Sequence, residues 1–238
     1  MSKVRLFIDH PLASGQAVPL NAEQAHYLSG VMRLPAGTVI EVFNGRDGAW
    51  DAEITSASKR GGELALRAQV APQRDPPDLW LIFAPIKKAR TDFIVEKAAE
   101  LGAARILPVQ TDFTNSERIR QDRLQAHAVE AAEQCGGTFV PEVTDLTSLS
   151  KLLNGWDPAR RILWADESRL GPADALSDLP RGPWAVLIGP EGGFSPAERQ
   201  RLRDATFVMP ISLGPRILRA DTAAVSLLTL FQAHLGDW

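Results

Sequence analysis

Two short stretches in the C-terminal half hold the residue types that do chemistry. In "LIGPEGGFSPAE" (187–198) an apolar run enters a turn made of Gly189, Pro190, Glu191, Gly192 and Gly193, and a helix start follows. Three glycines keep side chains out of the turn and permit positive φ. The stretch therefore reads either as a plain strand-to-helix connection or as a ligand cradle at the carboxyl end of a strand, where open α/β sheets bind ligands. Absences narrow the ligand. No Lys-Ser/Thr pair follows, as a Walker loop requires, and G-x-G-x-x-G is not matched. Glu191 opposes a pyrophosphate, which leaves a ligand without phosphates and of cationic character. The second stretch, "SLGPRILRADTAA" (212–224), again runs from a glycine turn into a helix and sets Arg216, Arg219 and Asp221 between two apolar elements. Buried charge is costly unless paired. The readings are a structural Arg219–Asp221 pair or polar groups facing a cleft.

Strands and helices must hold these turns. Residues 79–84, 105–110, 161–166, 184–189 and 206–211 are short, nearly continuous apolar runs, as in "WAVLIG". Such runs suit strands buried on both faces of a parallel sheet. Helical segments separate most of them. "TDFIVEKAAELG" is capped by Thr91 or Asp92 and stopped by Gly102. A longer helix runs from Ser116 and ends at glycines 136 and 137, and an almost wholly apolar one starts near Thr222. Ser195 with Glu198 makes a capping box, with Pro196 at the first helical position. The class is α/β, with helices flanking a parallel sheet. Residues 1–71 differ: short alternating runs split by Gly, Asn and Asp read as a small β-barrel. The proline-rich stretch 72–78 reads as a linker, and 79–238 as the α/β domain.

Composition sets outer bounds. The chain has 238 residues, 45% of them hydrophobic, with a formal charge of −3, so no global basic field marks a nucleic-acid partner. No run reaches the roughly 18 apolar residues of a membrane span. The start "MSKVRLFIDH" has no apolar signal core. The single Cys135 fits a reducing cytoplasm, and the four dispersed histidines form no metal-spacing motif. Cys135 reads as a small packed residue, His26 as structural or exposed, and Trp80, Trp164 and Trp184 as core.

The two glycine turns resemble the signatures of the RsmE family, which methylates small-subunit ribosomal RNA at uridine N3 and belongs to the SPOUT superfamily. Further matches run through "HYLSGVMRLPAGTVIEVFNGRDGAW", "KKARTDFIVEKAAELGAARILPVQT" and "RLQAHAVEAAEQCGGTFVPEV", so the resemblance covers nearly the whole chain. It implies a C-terminal SPOUT α/β trefoil-knot domain behind an N-terminal PUA-like β-barrel that binds RNA. It implies S-adenosyl-L-methionine as methyl donor, 16S ribosomal RNA as partner, and a cytoplasmic homodimer without metal whose site lies near the subunit interface. By position it assigns the donor to Leu187, Gly189, Pro190, Glu191, Gly192 and Gly193 in the first loop. The second loop adds Ile211, Ser212, Leu213, Gly214, Ile217 and Leu218. Arg219 is the expected cation beside the uracil, and Asp221 is either the proton acceptor or a structural partner. RNA contacts are expected from Arg5, Arg33, Lys87, Lys88 and Arg90. Three residues depart from the family pattern: Pro215 replaces a basic residue, Asp221 a glutamate, and Asp112 lies where arginine is frequent. The rivals are a non-catalytic RNA-binding assembly factor, which loss of the glycine turns or Arg219 would favour, and a SPOUT enzyme with another RNA target.

Overall fold

A computed structural model describes residues 3–58, 60–115, 118–169 and 176–238. In the N-terminal block the alternating runs become β1 (Arg5–Phe7), β2 (Ala17–Leu20), β3 (Val39–Phe43), β4 (Ala49–Ser58) and β5 (Gly61–Ala71). They pair in the order β1-β3-β4-β5-β2, with β1–β3 parallel and the others antiparallel. Register shifts interrupt β4–β5 at Ala49/Trp50, Trp50/Ala52 and Ile54/Ser56. Such irregularities bend a strand pair and increase its twist. The sheet curls over Ile40, Val42, Ile54, Leu64 and Leu66, and α1 (Ala22–His26) covers this core with Ala25. The expected barrel is thus a curled sheet whose hydrogen-bonded path ends at β1 and β2.

One compact unit comprises Met1–Asp75 together with Ala132–Val140. Arg5 accounts for that distant segment. Its Nη1 donates to Ala132 O (2.9 Å) and Glu133 O (3.2 Å), and its Nη2 to Gly137 O (2.9 Å). Its Nε donates to Glu41 Oε1 at 2.6 Å. The Phe7 amide donates to Glu133 Oε1, and Phe43, Ala49 and Ala132 share an apolar cluster. Arg5 therefore corrects one expectation. All three guanidinium nitrogens are engaged and 13% of the side chain is exposed, so it ties the unit together rather than gripping RNA.

The second unit, Pro76–Ala131 with Pro141–Trp238, is built on parallel strands. These are β6 (Leu79–Phe83), β7 (Arg105–Gln110), β8 (Glu142–Val143), β9 (Thr147–Ser148), β10 (Arg161–Ala165), β11 (Trp184–Ile188) and β12 (Val208–Ile211). The order is β12-β10-β11-β6-β7-β8, with β9 also on β7. All five residues of β11 are buried, as its unbroken apolar sequence requires of a central strand. Ile82, Leu107, Trp164, Ala185 and Leu187 build the core on one side with Phe194 and Leu202.

Among the described residues five helices complete the unit: α2 (Lys88–Glu100), α3 (Gln121–Cys135, whose end falls in the first unit), α4 (Leu149–Asn154), α5 (Pro196–Asp204) and α6 (Ala220–Leu235). Helix α2 starts a turn before the expected cap. Its N-cap is Lys87, and the Thr91 hydroxyl instead accepts from Ile86 N–H and donates to Ile86 O. Gly102, at φ 72°, follows its end as expected. Helix α3 is seen from Gln121; Ser116 and Glu117 lie outside the described residues. Both halves of the Ser195–Glu198 capping box form at α5. Helix α6 buries Ala224, Leu227, Leu228 and Phe231, packs on α2 and β11, and leaves Thr222, Ala233 and His234 exposed. Trp164 and Trp184 are core residues, whereas Trp80 is half-buried under the Arg160 guanidinium. Cys135, expected to be packed, is exposed. No helix of the described residues is long and apolar enough to cross a membrane.

Candidate functional site

The carboxyl ends of three neighbouring strands, β12, β10 and β11, open onto one cleft of ≈ 220 Å³. From the end of β11 come Ile188, Gly189, Pro190, Glu191 and Gly193; the segment after β12 adds Leu213, Gly214, Arg216, Ile217 and Leu218. Ile211 ends β12, and Arg219, Ala220 and Ala223 stand at the start of α6. Most residues singled out in the two glycine turns thus meet at one surface. Leu187, Gly192 and Ser212 do not line it. Strand alternation turns Leu187 into the core cluster while Ile188 faces the cleft. Gly192 faces Phe113, and the Ser212 hydroxyl accepts from the Gly214 amide at 3.2 Å, shaping the turn from behind.

The glycines act differently from the expectation of bare backbone held open for a ligand. A Cβ on Gly189 would lie 2.7 Å from the Phe194 ring, and one on Gly193 would meet the Glu167 carboxylate. Gly193 also sits at φ 68°. The protein's own side chains fill those spaces and fix the turn. Gly214 is the open case: at φ 115°, nothing lies within 4 Å of its missing Cβ.

Two polar ties hold the first turn. On one side Arg199 of α5 donates through Nε to Phe194 O (3.0 Å) and through Nη1 to Asp166 Oδ1 (3.0 Å), and pairs with Glu167. The Asp166 side chain is only 2% exposed, and it also accepts from Ser168 N–H and Oγ–H. A buried carboxylate supplied with that many donors is compensated for its desolvation. On the other side the Asp112 amide donates to Glu198 Oε1 (2.9 Å), and Ser195 Oγ donates to Asp112 Oδ2. These two bonds link the loop after β7 to the end of the glycine turn, and the capping-box bonds Ser195 N–H to Glu198 Oε2 (2.9 Å) and Glu198 N–H to Ser195 Oγ (3.3 Å) hold both partner side chains in place.

The sequence missed the cleft's β10 side: Ala165, Asp166, Glu167 and Arg169. Its signal was charged residues directly after a buried strand, with no glycine to mark them. The charged residues of the second turn also rearrange. Asp221 pairs with Arg90 of α2, whose Nη1 donates to Oδ2 at 2.9 Å, rather than with Arg219. Its Oδ1 accepts the Thr222 amide at 2.9 Å. Arg219 is the N-cap residue of α6, is exposed, and makes no side-chain capping bond. Neither Arg216 nor Arg219 bonds any described residue, so two cations border the cleft without a partner among those residues. Lys87 and Lys88 are exposed at the start of α2; Arg33 is exposed in the first unit.

Residues 73–232 match the RNA methyltransferase domain family, and residues 20–66 match the RNA methyltransferase PUA domain family. Ribosomal RNA small subunit methyltransferase E of Rickettsia conorii is 28% identical, over 94% of this chain and 93% of that protein. The protein of the same name from Synechocystis is 30% identical, over 92% of this chain and 73% of its own length. Among solved structures, ribosomal RNA small subunit methyltransferase E from Neisseria gonorrhoeae bound to S-adenosyl methionine aligns over 100% of both chains, with a TM-score of 0.90 and 27% identity. A methyltransferase from Legionella pneumophila in complex with the cofactor SAM aligns equally completely, with a TM-score of 0.89.

Proposed function

The chain belongs to the RNA methyltransferase family, among proteins named ribosomal RNA small subunit methyltransferase E, and from that premise we propose that it methylates N3 of one uridine in 16S ribosomal RNA. It is an S-adenosyl-L-methionine-dependent methyltransferase of small-subunit ribosomal RNA, with a SPOUT α/β domain and a PUA-like domain. The finer reading includes knotted threading of the last strands, a homodimer and work in the cytoplasm. In it, residues 1–71 grip RNA, 72–78 link, and 79–238 carry out transfer.

The observation that carries the reading is the cleft at the ends of β12, β10 and β11. Its apolar residues Ile188, Ile211, Leu213, Ile217 and Leu218 suit an adenosyl group, and the open backbone at Gly214 admits close approach. Glu191 at its edge favours a cation over a phosphate. These residues would hold the donor, mostly through backbone and apolar contact. S-adenosyl-L-methionine, when bound, supplies a methyl group on a sulfonium sulfur.

The chain's own residues then orient the nucleophile. Uridine N3 lies on the pairing edge and bears a proton, so the base must be unpaired or flipped out to react. As the N3–carbon bond forms, the carbon–sulfur bond breaks, sulfur keeps the electron pair, and the N3 proton passes to an acceptor. Negative charge gathers on the uracil carbonyl oxygens, where a fixed cation stabilises it. Arg219, at the cleft and without a partner among the described residues, takes that role. The two oxygens of Asp221 are engaged by Arg90 and Thr222, so its first task is to hold the start of α6; accepting the N3 proton is its second candidate role.

Single-turnover methylation tests Arg219. The Arg219→Ala enzyme is expected to lose about 10²–10³-fold in rate, with donor affinity within about twofold of the parent. An unimpaired rate would remove the arginine from the chemistry. Mass spectrometry of the nucleosides from the treated RNA tests the position: 3-methyluridine supports the reading, and methylation at a ribose hydroxyl overturns it.

A further inference from the structure

Outside the cleft, one turn of the first unit combines three costly features in seven residues. Helix α1 starts firmly, with Gln24 N–H donating to Asn21 Oδ1 (2.8 Å) and Asn21 N–H to Gln24 Oε1 (3.1 Å). After His26 the backbone widens into a π turn over Tyr27–Val31, closed by Met32 N–H donating to Tyr27 O at 2.8 Å. Leu34 N–H donates to Leu28 O (2.9 Å), and Leu28 is buried in the core. The His26 ring occupies the side-chain space of Gly30, where a Cβ would lie 2.6 Å away. The turn is therefore fixed, and what it presents is set.

Val31 is 61% exposed and Met32 40% exposed. Arg33 follows, exposed and at φ 53°, a left-handed position held by no other non-glycine among the described residues. Its guanidinium bonds none of those residues. π turns and non-glycine residues at positive φ are uncommon, and they persist at sites where the presented side chains are used. Glycine would hold this conformation without strain. Arg33 thus carries a long cationic side chain where glycine would relieve the backbone, beside two water-exposed apolar groups.

We propose that Val31, Met32 and Arg33 form a rigid RNA-docking tip: the apolar pair packs on the face of an unstacked base and the guanidinium takes the adjoining phosphate. The proposal rests on the reading that the chain acts on ribosomal RNA. An apolar surface beside a cation fits single-stranded RNA, whose bases offer apolar faces and whose backbone is anionic. A second copy of the chain fits poorly, because a stable protein interface needs roughly 800 Å² a side, far more than three side chains supply.

The test is fluorescence anisotropy with a labelled single-stranded oligouridylate and the full-length protein, beside thermal melting. Arg33→Gly removes the charge while relieving the backbone, so its melting temperature is expected to hold or rise. Its RNA affinity near 0.15 M salt is expected to fall about fourfold, and the slope of log affinity against log salt to shrink by about 0.7, one phosphate contact on a single strand. The Val31→Ser/Met32→Ser protein is expected to lose roughly tenfold in affinity while remaining folded. Unchanged affinity in both variants overturns the proposal, as does no binding by the parent. So does a change of sedimentation behaviour with RNA affinity intact, which assigns the tip to a second copy. Calorimetric uptake of S-adenosyl-L-methionine by the same variants separates the two ideas: loss of the tip leaves it intact, whereas no uptake by the parent strikes the methyltransferase reading instead.

Discussion

Gly193 and Arg33 both hold left-handed backbone, at φ 68° and 53°, and their surroundings are opposite. At Gly193 the Glu167 carboxylate lies against the α-carbon, so a side chain there would have to displace it as well as hold the left-handed φ. At Arg33 the space is solvent, and a long cationic side chain is carried despite the strain. The lesson is that a left-handed φ has to be interpreted with its neighbourhood. A crowded glycine reports on the packing of a wall, and a strained non-glycine reports on the side chain it displays.

Gly193→Ala attacks the crowded case and is the larger effect. Left-handed strain with displacement of the Glu167 carboxylate is expected to destabilise the fold by about 1–3 kcal/mol, with donor affinity falling at least tenfold. Thermal melting and calorimetric titration measure both, and a near-neutral outcome would show that the wall yields and erase the contrast with Arg33. Asp112→Asn is gentler, since it weakens the tie between the loop after β7 and Ser195. It is expected to weaken donor binding by about three- to tenfold while leaving single-turnover rate at saturating donor nearly unchanged. Recovery in Asp112→Glu would mark a positioning role, and loss of RNA affinity with donor affinity intact would make Asp112 an RNA contact after all.

The smallest effect concerns the first unit, whose turns are also tied by a carboxylate. Asp47 Oδ2 accepts from the Leu12 amide (2.9 Å) and from Asn44 Nδ2 (2.6 Å), and these bonds hold its carboxyl below the usual aspartate range. A carboxyl depressed by folding adds stability above its unfolded value, and that stability is lost as pH falls through the folded value. Melting temperature is therefore expected to decline on acidification from about pH 4 downward, with a shallower decline in Asp47→Asn. Equal acid slopes in the two proteins would assign the decline to other carboxylates.

Much of this arrangement is legible in the amino-acid sequence. The five apolar runs became β6, β7, β10, β11 and β12 because a strand buried on both faces leaves an unbroken signal. The capping box at Ser195 and the stop at Gly102 are local chemistry and were equally readable. Strands β8 and β9 were not, since two residues leave no period to detect. The start of α2 was missed because Lys87 is not a capping residue and Thr91 bonds back to Ile86. Long-range polar partners escaped altogether. Nothing near Arg5 announces carbonyls at 132, 133 and 137, and nothing near Asp221 announces Arg90. Of the cleft, the glycine-marked sides were found and the β10 side was not, because Asp166 and Glu167 belong to no motif.

The Phe194 ring against Gly189 bears on how this protein can vary by descent. A methyl group at position 189 is excluded while the ring stands 2.7 Å from its site, and the ring itself leans edge-on against Trp164 at 5.7 Å. A side chain at residue 189 therefore requires the Phe194 ring to shift or shrink, at the expense of its contact with the tryptophan. Substitutions at residues 189 and 194 are thereby expected to be coupled, a smaller residue at 194 making room for a side chain at 189.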